Sequence, residues 1–190
     1  MTKLKREFYT QDANTVAINL IGKILVHGKT SGIIVEAEAY TAEDKASHSY
    51  GKRRTKRTEI QFKDGGFSYV YIIYGMYYCF NVTANIAGVP EAVLIRALEP
   101  LNGIDIMKSR RNTDNEKNLC NGPGKLCRAL NITSEQYGED LCGQELYILD
   151  EGMKNFRVMT SERINVAYAE ECSKFLWRYY AAGNNFVSKK

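Results

Sequence analysis

What the chain lacks bounds its chemistry first. It holds two histidines, His27 and His48, and five cysteines (79, 120, 127, 142 and 172) that form no CxxC pair. A Cys/His zinc site is therefore not expected, and neither a metal nor another cofactor is assigned. The odd number of cysteines suits a reducing compartment rather than a disulfide framework. No apolar run is long enough for a membrane span, and the opening MTKLKREFYTQDANT has no apolar segment of the kind a signal peptide needs. A cytoplasmic protein with no membrane partner is the expectation. No repeat or low-complexity linker divides the chain, so one domain over residues 1–190 is expected, and a monomer. A chain of this length can bury roughly 70% of its unfolded surface.

Excess charge is also scarce, with a net +4 and a pI of about 8.7. The informative charge is local. GKRRTKR (51–57) packs five basic residues into seven, with no acid until Glu59. Such a run is commonly a mobile, solvated loop. It also suits a phosphate-contacting segment, where cations displace condensed counterions. Composition leaves both readings open.

The periodicities imply a mixed fold. An Asp or Asn cap predicts a short helix over 12–21, with Gly22 beyond its end. Residues 23–40 read as a hairpin whose second strand is Ile33–Tyr40, and a short polar helix is expected around EDKAS (43–47). AVLIRALEP (92–100) reads as a strand ended by Pro100, and helices are expected over 102–111 and 124–130. LYILD, RVMT and NNFVS suggest shorter strands after residue 145, with a helix near AEECSKF. Together they predict an α+β fold on a largely antiparallel sheet.

Two stretches carry more than fold. YVYIIYGMYY (69–78) holds five of the thirteen tyrosines and alternates as a strand up to Tyr74-Gly75. Tyr77 to Val82 reads as a second strand, which makes a hairpin with an aromatic at its tip, where Asn, Asp or Gly is usual. In VEAEAY (35–40), strand alternation places Val35, Ala37 and Ala39 on one face and Glu36, Glu38 and Tyr40 on the other. The plain reading is the wet face of an amphipathic strand. Against it, the run enters from apolar Ile33-Ile34-Val35, and the small alanines leave room for another group. A carboxylate beside an aromatic can act as a general base while the ring holds a flat substrate.

In combination the stretches become specific. EAEAY, DKASHS, the basic run, YVYIIYGMYYCFN, LIRALEP and NGPGKLCRAL, in that order, resemble the alkyladenine (3-methyladenine, methylpurine) DNA glycosylase family over roughly residues 8–188. The resemblance implies a single-domain α+β fold: a curved, largely antiparallel sheet with flanking helices and a protruding, DNA-inserting β-hairpin. It implies a monofunctional enzyme without metal or cofactor, nucleoid-associated if bacterial. Such an enzyme flips damaged purines (3-methyladenine, 7-methylguanine, hypoxanthine, ethenoadenine) out of double-stranded DNA and hydrolyses the N-glycosidic bond, initiating base excision repair. Residue by residue, Glu38 matches the general base, rather than Glu36, and Arg96 the residue that helps it position the water. Tyr40 and Tyr71 match the rings that sandwich the flipped base, with His48 at the pocket edge. Asn81 matches the side chain that crowds guanine's 2-amino group, and Tyr74 the wedge that fills the gap in the duplex. Arg53, Thr55, Arg57 and Lys125 match DNA-backbone contacts. Tyr50, Gly65 and the loop Asn85–Pro90 depart from the family pattern. The rival readings are a non-catalytic nucleic-acid binder, which would not need Glu38 or Arg96, and a glycosidase for free nucleosides, which would not need the wedge.

The matched roles constrain the hairpin. A two-residue loop would set Tyr71 opposite Tyr78, put Tyr71 and Asn81 on opposite faces, and hold Tyr74 at positive φ. A three-residue loop, Tyr74-Gly75-Met76, pairs Ile73 with Tyr77, Tyr71 with Cys79 and Tyr69 with Asn81. It brings Tyr71 and Asn81 to one face and lets Gly75 or its neighbour take the unusual dihedral. An odd-numbered loop or a bulge near Gly75 is therefore expected, with Tyr74 exposed.

Overall fold

The computed structural model describes residues 2–150 and 157–189. After a one-turn helix α1 (Arg6–Tyr9), helix α2 (Ala13–Leu20) starts where the Asp12 carboxylate accepts from the backbone N–H of Asn14 at 3.1 Å and Thr15 at 3.0 Å. That cap satisfies two of the four amides a helix start leaves unpaired. The strands are β1 (Ile24–His27), β2 (Thr30–Tyr40), β3 (Ser68–Ile73), β4 (Tyr77–Ala84), β5 (Glu91–Asn102), β6 (Leu146–Leu149), β7 (Val158–Ser161) and β8 (Arg178–Ala181). Every pairing is antiparallel, in the order β3-β4-β5-β2-β1-β6, with β8 on β2 and β7 on β8. Helices α3 (Ile104–Arg111) and α4 (Pro123–Leu130) pack on the face that α2 also covers. Val16, Leu20, Ile34, Phe80, Ile95, Leu126 and Leu130 fill the core between them. The α+β class and the antiparallel sheet agree with the sequence reading.

One irregularity positions the site. The first half of β2 pairs with β1, and Glu36–Glu38 pair instead with β8. Between those halves Val35 on β2 and Arg96 on β5 are skipped by the ladder that joins the two strands. The bulge breaks the alternation: Ile34, Ala37 and Ala39 face the main core, while Val35 joins Ile33 and Ala97 in a smaller cluster on the other side. Val35 thus does not share a face with Ala37 and Ala39, as strict alternation predicts, because an extra residue reverses the parity of a strand.

Other local expectations fail for identifiable reasons. Residues 43–47 form turns and no helix, because Asp44 Oδ1 accepts from the Ala46 N–H at 3.0 Å. The NNFVS segment is likewise no strand, since Asn184 Oδ1 accepts from the Phe186 N–H at 2.8 Å. Both are side chains satisfying the backbone two residues on, a competitor of regular structure. Strand β5 continues past Pro100 to Asn102, with Pro100 opposite Gly32 at a register shift, where a missing N–H is tolerated. The AEECSKF region is a pair of 3₁₀ turns broken at Glu170 (φ 52°).

Candidate active site

Beyond the bulge, Glu36, Glu38 and Tyr40 leave β2 on the face away from the main core, yet neither carboxylate is wet: both are 0% exposed. Each is answered by its own set of donors. Glu38 Oε2 accepts from Tyr40 Oη at 2.8 Å and Arg96 Nη1 at 3.2 Å, and its Oε1 accepts from the Ile164 backbone N–H at 2.8 Å. Glu36 Oε1 accepts from Arg178 Nη1 at 2.8 Å and Ser188 Oγ at 3.0 Å, and its Oε2 from the Ser188 N–H at 2.6 Å. Two buried carboxylates thus face two guanidinium groups, the arrangement that offsets desolvation of the charges. Arg96 bridges the two acids, with Nε 3.5 Å from Glu36 Oε1 and no hydrogen bond at that nitrogen among the described residues. Burial works against the Arg96 cation, but Glu38 and then Glu36 outweigh it and raise its pKa above the usual arginine value. Burial and the Glu38 charge push the Tyr40 hydroxyl well above the usual tyrosine range, so Tyr40 is the donor in its bond to Glu38.

Next to this cluster is a cavity lined by Tyr40, His48, Tyr69, Tyr71, Asn81 and Tyr168, among others. The walls come mainly from the end of β2, the turns that carry His48, the β3–β4 hairpin and the segment after Arg163. The hairpin pairs Ile73 with Tyr77, Tyr71 with Cys79 and Tyr69 with Asn81. Tyr69, Tyr71 and Asn81 therefore share the cavity face. Asn81 is held there by its Nδ2, which donates to the Tyr69 carbonyl at 2.9 Å. His48 meets Tyr71 edge-to-face with centroids 4.7 Å apart. Arg57 Nη2 lies 3.3 Å from His48 Nε2, and His48 Nδ1 lies 2.7 Å from Tyr69 Oη. A guanidinium can only donate, so Nε2 accepts and Nδ1–H donates to Tyr69. Desolvation, then the Arg57 cation, lower the His48 pKa to about 4, although the residue as a whole is exposed. Glu38 and Arg96 do not line the cavity themselves; Tyr40 joins them to it.

The remaining expected residues lie outside this cavity. Tyr74 is 76% exposed at the hairpin tip. Met76 N–H closes the turn on the Ile73 carbonyl at 3.2 Å, and both intervening residues have positive φ, Tyr74 at 53° and Gly75 at 69°. The three-residue connection thus does not spare Tyr74 the left-handed region. Turns of this hand match the twist of the flanking strands and need positive φ at both central positions. The basic run is not a loose loop. Thr58 Oγ1 accepts from the Thr55 N–H at 2.9 Å and donates to the Arg53 carbonyl at 3.1 Å. Tyr137 Oη donates to the carbonyls of Lys56 and Arg57. Arg53 is left exposed, and the Arg57 guanidinium lies 4.7 Å from the Tyr71 centroid. Lys125, at the start of α4, is tied to Asn118 and, at 2.8 Å, to Asn121. Burial and then Arg111 lower its pKa.

The family model described as "Methylpurine-DNA glycosylase (MPG)" matches residues 7–185. The chain belongs to the methylpurine-DNA glycosylase family. Relatives from Desulfitobacterium hafniense (strain Y51) and Clostridium novyi (strain NT) are 47% and 48% identical to it, each over 100% of both chains. One from Bacillus cytotoxicus is 50% identical over 96% of this chain and 97% of its own. All three carry the name 3-methyladenine DNA glycosylase on a provisional basis. Membership makes this protein a DNA glycosylase, a hydrolase of DNA repair. Among the described residues no helix is long and apolar enough to cross a membrane.

Some of the groups packed around Glu38 and Tyr40 were not singled out from sequence. The Ile164 amide carries no residue-type signal at all. Arg163 sits in an unremarkable TSERIN stretch, yet it is 5% exposed, pairs with Asp44 and donates to the carbonyls of Ala39 at 2.9 Å and Cys172 at 3.0 Å. The one available hint was Asp44, inside the quoted DKASHS motif. At Gly65, expected to depart from the family pattern, a Cβ would come within 2.1 Å of the Tyr9 carbonyl oxygen.

Proposed function

We propose that this glycosylase flips damaged purines of the 3-methyladenine, 7-methylguanine, hypoxanthine and ethenoadenine class out of double-stranded DNA and hydrolyses their N-glycosidic bond with a water activated by Glu38. The observation that carries the proposal is a fully buried carboxylate, held by three donors, beside an aromatic-walled cavity lined by the same hairpin that carries the exposed Tyr74 at its tip. All three contacts use Glu38 as an acceptor, so its geometry is fixed for the ionised form. Tyr40 and Tyr71 hold the flipped base between their rings, and His48 and Asn81 meet its edges. Tyr74 occupies the gap in the stack, repaying the cost of unstacking. The water oxygen adds to C1′ as the bond to the base breaks, the base leaves with the bonding pair, and the water's proton passes to Glu38. Positive charge that builds on the sugar is opposed by the same carboxylate. Arg96 fixes that carboxylate and helps to orient the water. Arg53, Thr55, Arg57 and Lys125 contact the DNA backbone.

The test is incubation of the full chain with duplexes bearing each lesion, followed by alkali to cleave at abasic sites. Release of at least one damaged purine, with strand cleavage only after alkali, is expected. Tight lesion binding without release of any base would favour the non-catalytic reading.

A further inference from the structure

Of the three donors to Glu38, Arg96 lies within the sheet on β5, Tyr40 is the last residue of β2, and Ile164 lies in a turn beyond β7. Arg163, one residue before Ile164, does not line the cavity, yet it binds that turn to the rest of the site. Its Nη1 donates to the Ala39 carbonyl at 2.9 Å and pairs with Asp44. Its Nη2 donates to Asp44 Oδ1 at 3.0 Å and to the Cys172 carbonyl at 3.0 Å. Its Cζ lies 4.7 Å from the Tyr40 centroid and 5.2 Å from that of Trp177.

A planar guanidinium that uses both ends of its fork is fixed in orientation as well as in place. The Ala39 carbonyl belongs to the peptide that joins Ala39 to Tyr40, and Glu38 is the residue before it. Two consecutive residues thus clasp Glu38: Arg163 holds the backbone that follows it, and Ile164 holds its carboxylate. Asp44 answers the Arg163 charge, and both side chains are 0% exposed. Asp44 also accepts from the Ala46 N–H at 3.0 Å, and its carbonyl accepts from the Ser47 N–H at 2.8 Å, in the turns that lead to His48. A buried ion pair gives a fold little that packed apolar residues would not give. What this pair adds is a fixed place for the Ile164 N–H. The neighbouring ion pair of Glu162 with Lys174, exposed and 3.5 Å long, is too weak to supply it.

We infer that Arg163, held by Asp44, is a positioning residue for the base function of Glu38. It acts through the Ile164 amide and the Ala39 peptide and, lying outside the cavity, does not meet the base. The inference deepens the base-excision reading above and depends on it. A carboxylate displaced by a fraction of an ångström leaves the DNA contacts in place and loses its alignment with the water, so the loss falls on the chemical step.

The experiment uses the full chain and two variants, Arg163→Lys and Asp44→Asn. Arg163→Lys keeps a cation against Asp44 but cannot hold the carbonyls of Ala39 and Cys172 together. Asp44→Asn keeps the shape of the carboxylate without its charge. The readouts are single-turnover release of the damaged purine that the wild type excises fastest, affinity for the same duplex, and hydrogen exchange of the Ile164 amide by NMR. In each variant that folds, release is expected to fall about 10–100-fold while affinity stays within about threefold. The Ile164 amide should exchange at least about tenfold faster, while that of Leu98, bonded to the Cys120 carbonyl at 3.1 Å elsewhere in the core, keeps its protection. Release within about threefold of wild type, rate and affinity falling together, exchange rising equally at both amides, or failure of both variants to fold would make the pair a structural feature alone and overturn the inference. So would a wild-type Ile164 amide that exchanges as fast as solvent-exposed ones, a measurement that needs no variant. In each of those cases base release by the wild type leaves the base-excision reading standing. A wild-type chain that releases none of the damaged purines removes both.

Discussion

Replacing Tyr74 with Asn should make the protein more stable and less active on duplex DNA. The backbone of Tyr74 sits at φ 53°, a region that costs an ordinary L-residue about 1–2 kcal/mol and Asn much less. Little is lost in return, because the ring is 76% exposed and has little apolar area to give up. The net gain is about 0.5–1 kcal/mol, which for a chain of this size raises the melting temperature by about 1–4 °C. The function lost is the wedge. Without an aromatic in the gap the flipped base restacks more readily, and unstacking is worth a few kcal/mol, so duplex base release should fall by about 10–100-fold. Release from a single strand, which has no gap to fill, should change little. Thermal melts paired with single-turnover rates on duplex and single-stranded substrate decide the matter. A lower melting temperature, or equal rate losses on both substrates, would refute the reasoning.

Glu36→Gln breaks a buried ion pair with Arg178 and should destabilise the fold by about 3 kcal/mol in urea titrations, while base release by the folded protein stays within a few-fold of wild type. Asn81→Ser shortens a side chain that the Tyr69 carbonyl holds against the cavity, so release of undamaged guanine relative to hypoxanthine should rise; undetectable guanine release would remove Asn81 as the filter. His48 titrates near 4 in the folded protein, against about 6.5 unfolded, so the unfolded state binds more protons between those values and stability falls as pH drops through that window. Because His48 is exposed, solvent screening cuts the loss to about 1 kcal/mol, and His48→Gln should flatten the dependence of the urea midpoint on pH across it.

The legible parts of the fold were those fixed by local pattern. The Asp12 cap and the two helices before residue 131 follow from side-chain period and turn chemistry over a few residues. The hairpin register came from the resemblance, whose roles require Tyr71 and Asn81 to share one face and so call for an odd-numbered connection or a bulge near Gly75; the structure pairs Ile73 with Tyr77. What escaped was decided at long range. The wet-face reading of Glu36 and Glu38 fails because Arg96 and Arg178 answer them from 58 and 142 residues away. Val35 changes face because of a bulge in the ladder between β2 and β5, at the point where the other edge of β2 passes from β1 to β8, a partner more than a hundred residues downstream. The Ile164 N–H that holds Glu38 is a backbone group, which no residue pattern can announce. The strand expected over NNFVS and the helix expected over EDKAS lost to single Asn and Asp side chains bonding two residues ahead, a competition that propensity alone does not resolve.

The central claim is that Glu38 performs the base function at this cavity. Its most direct test is the single-turnover release of hypoxanthine from a duplex by Glu38→Gln, measured beside the affinity of the same variant for that duplex. The account predicts a rate lower by at least about 100-fold with lesion binding nearly intact, because the amide preserves the shape of the carboxylate and cannot take the water's proton. A variant that releases the base within about tenfold of the wild-type rate would contradict it.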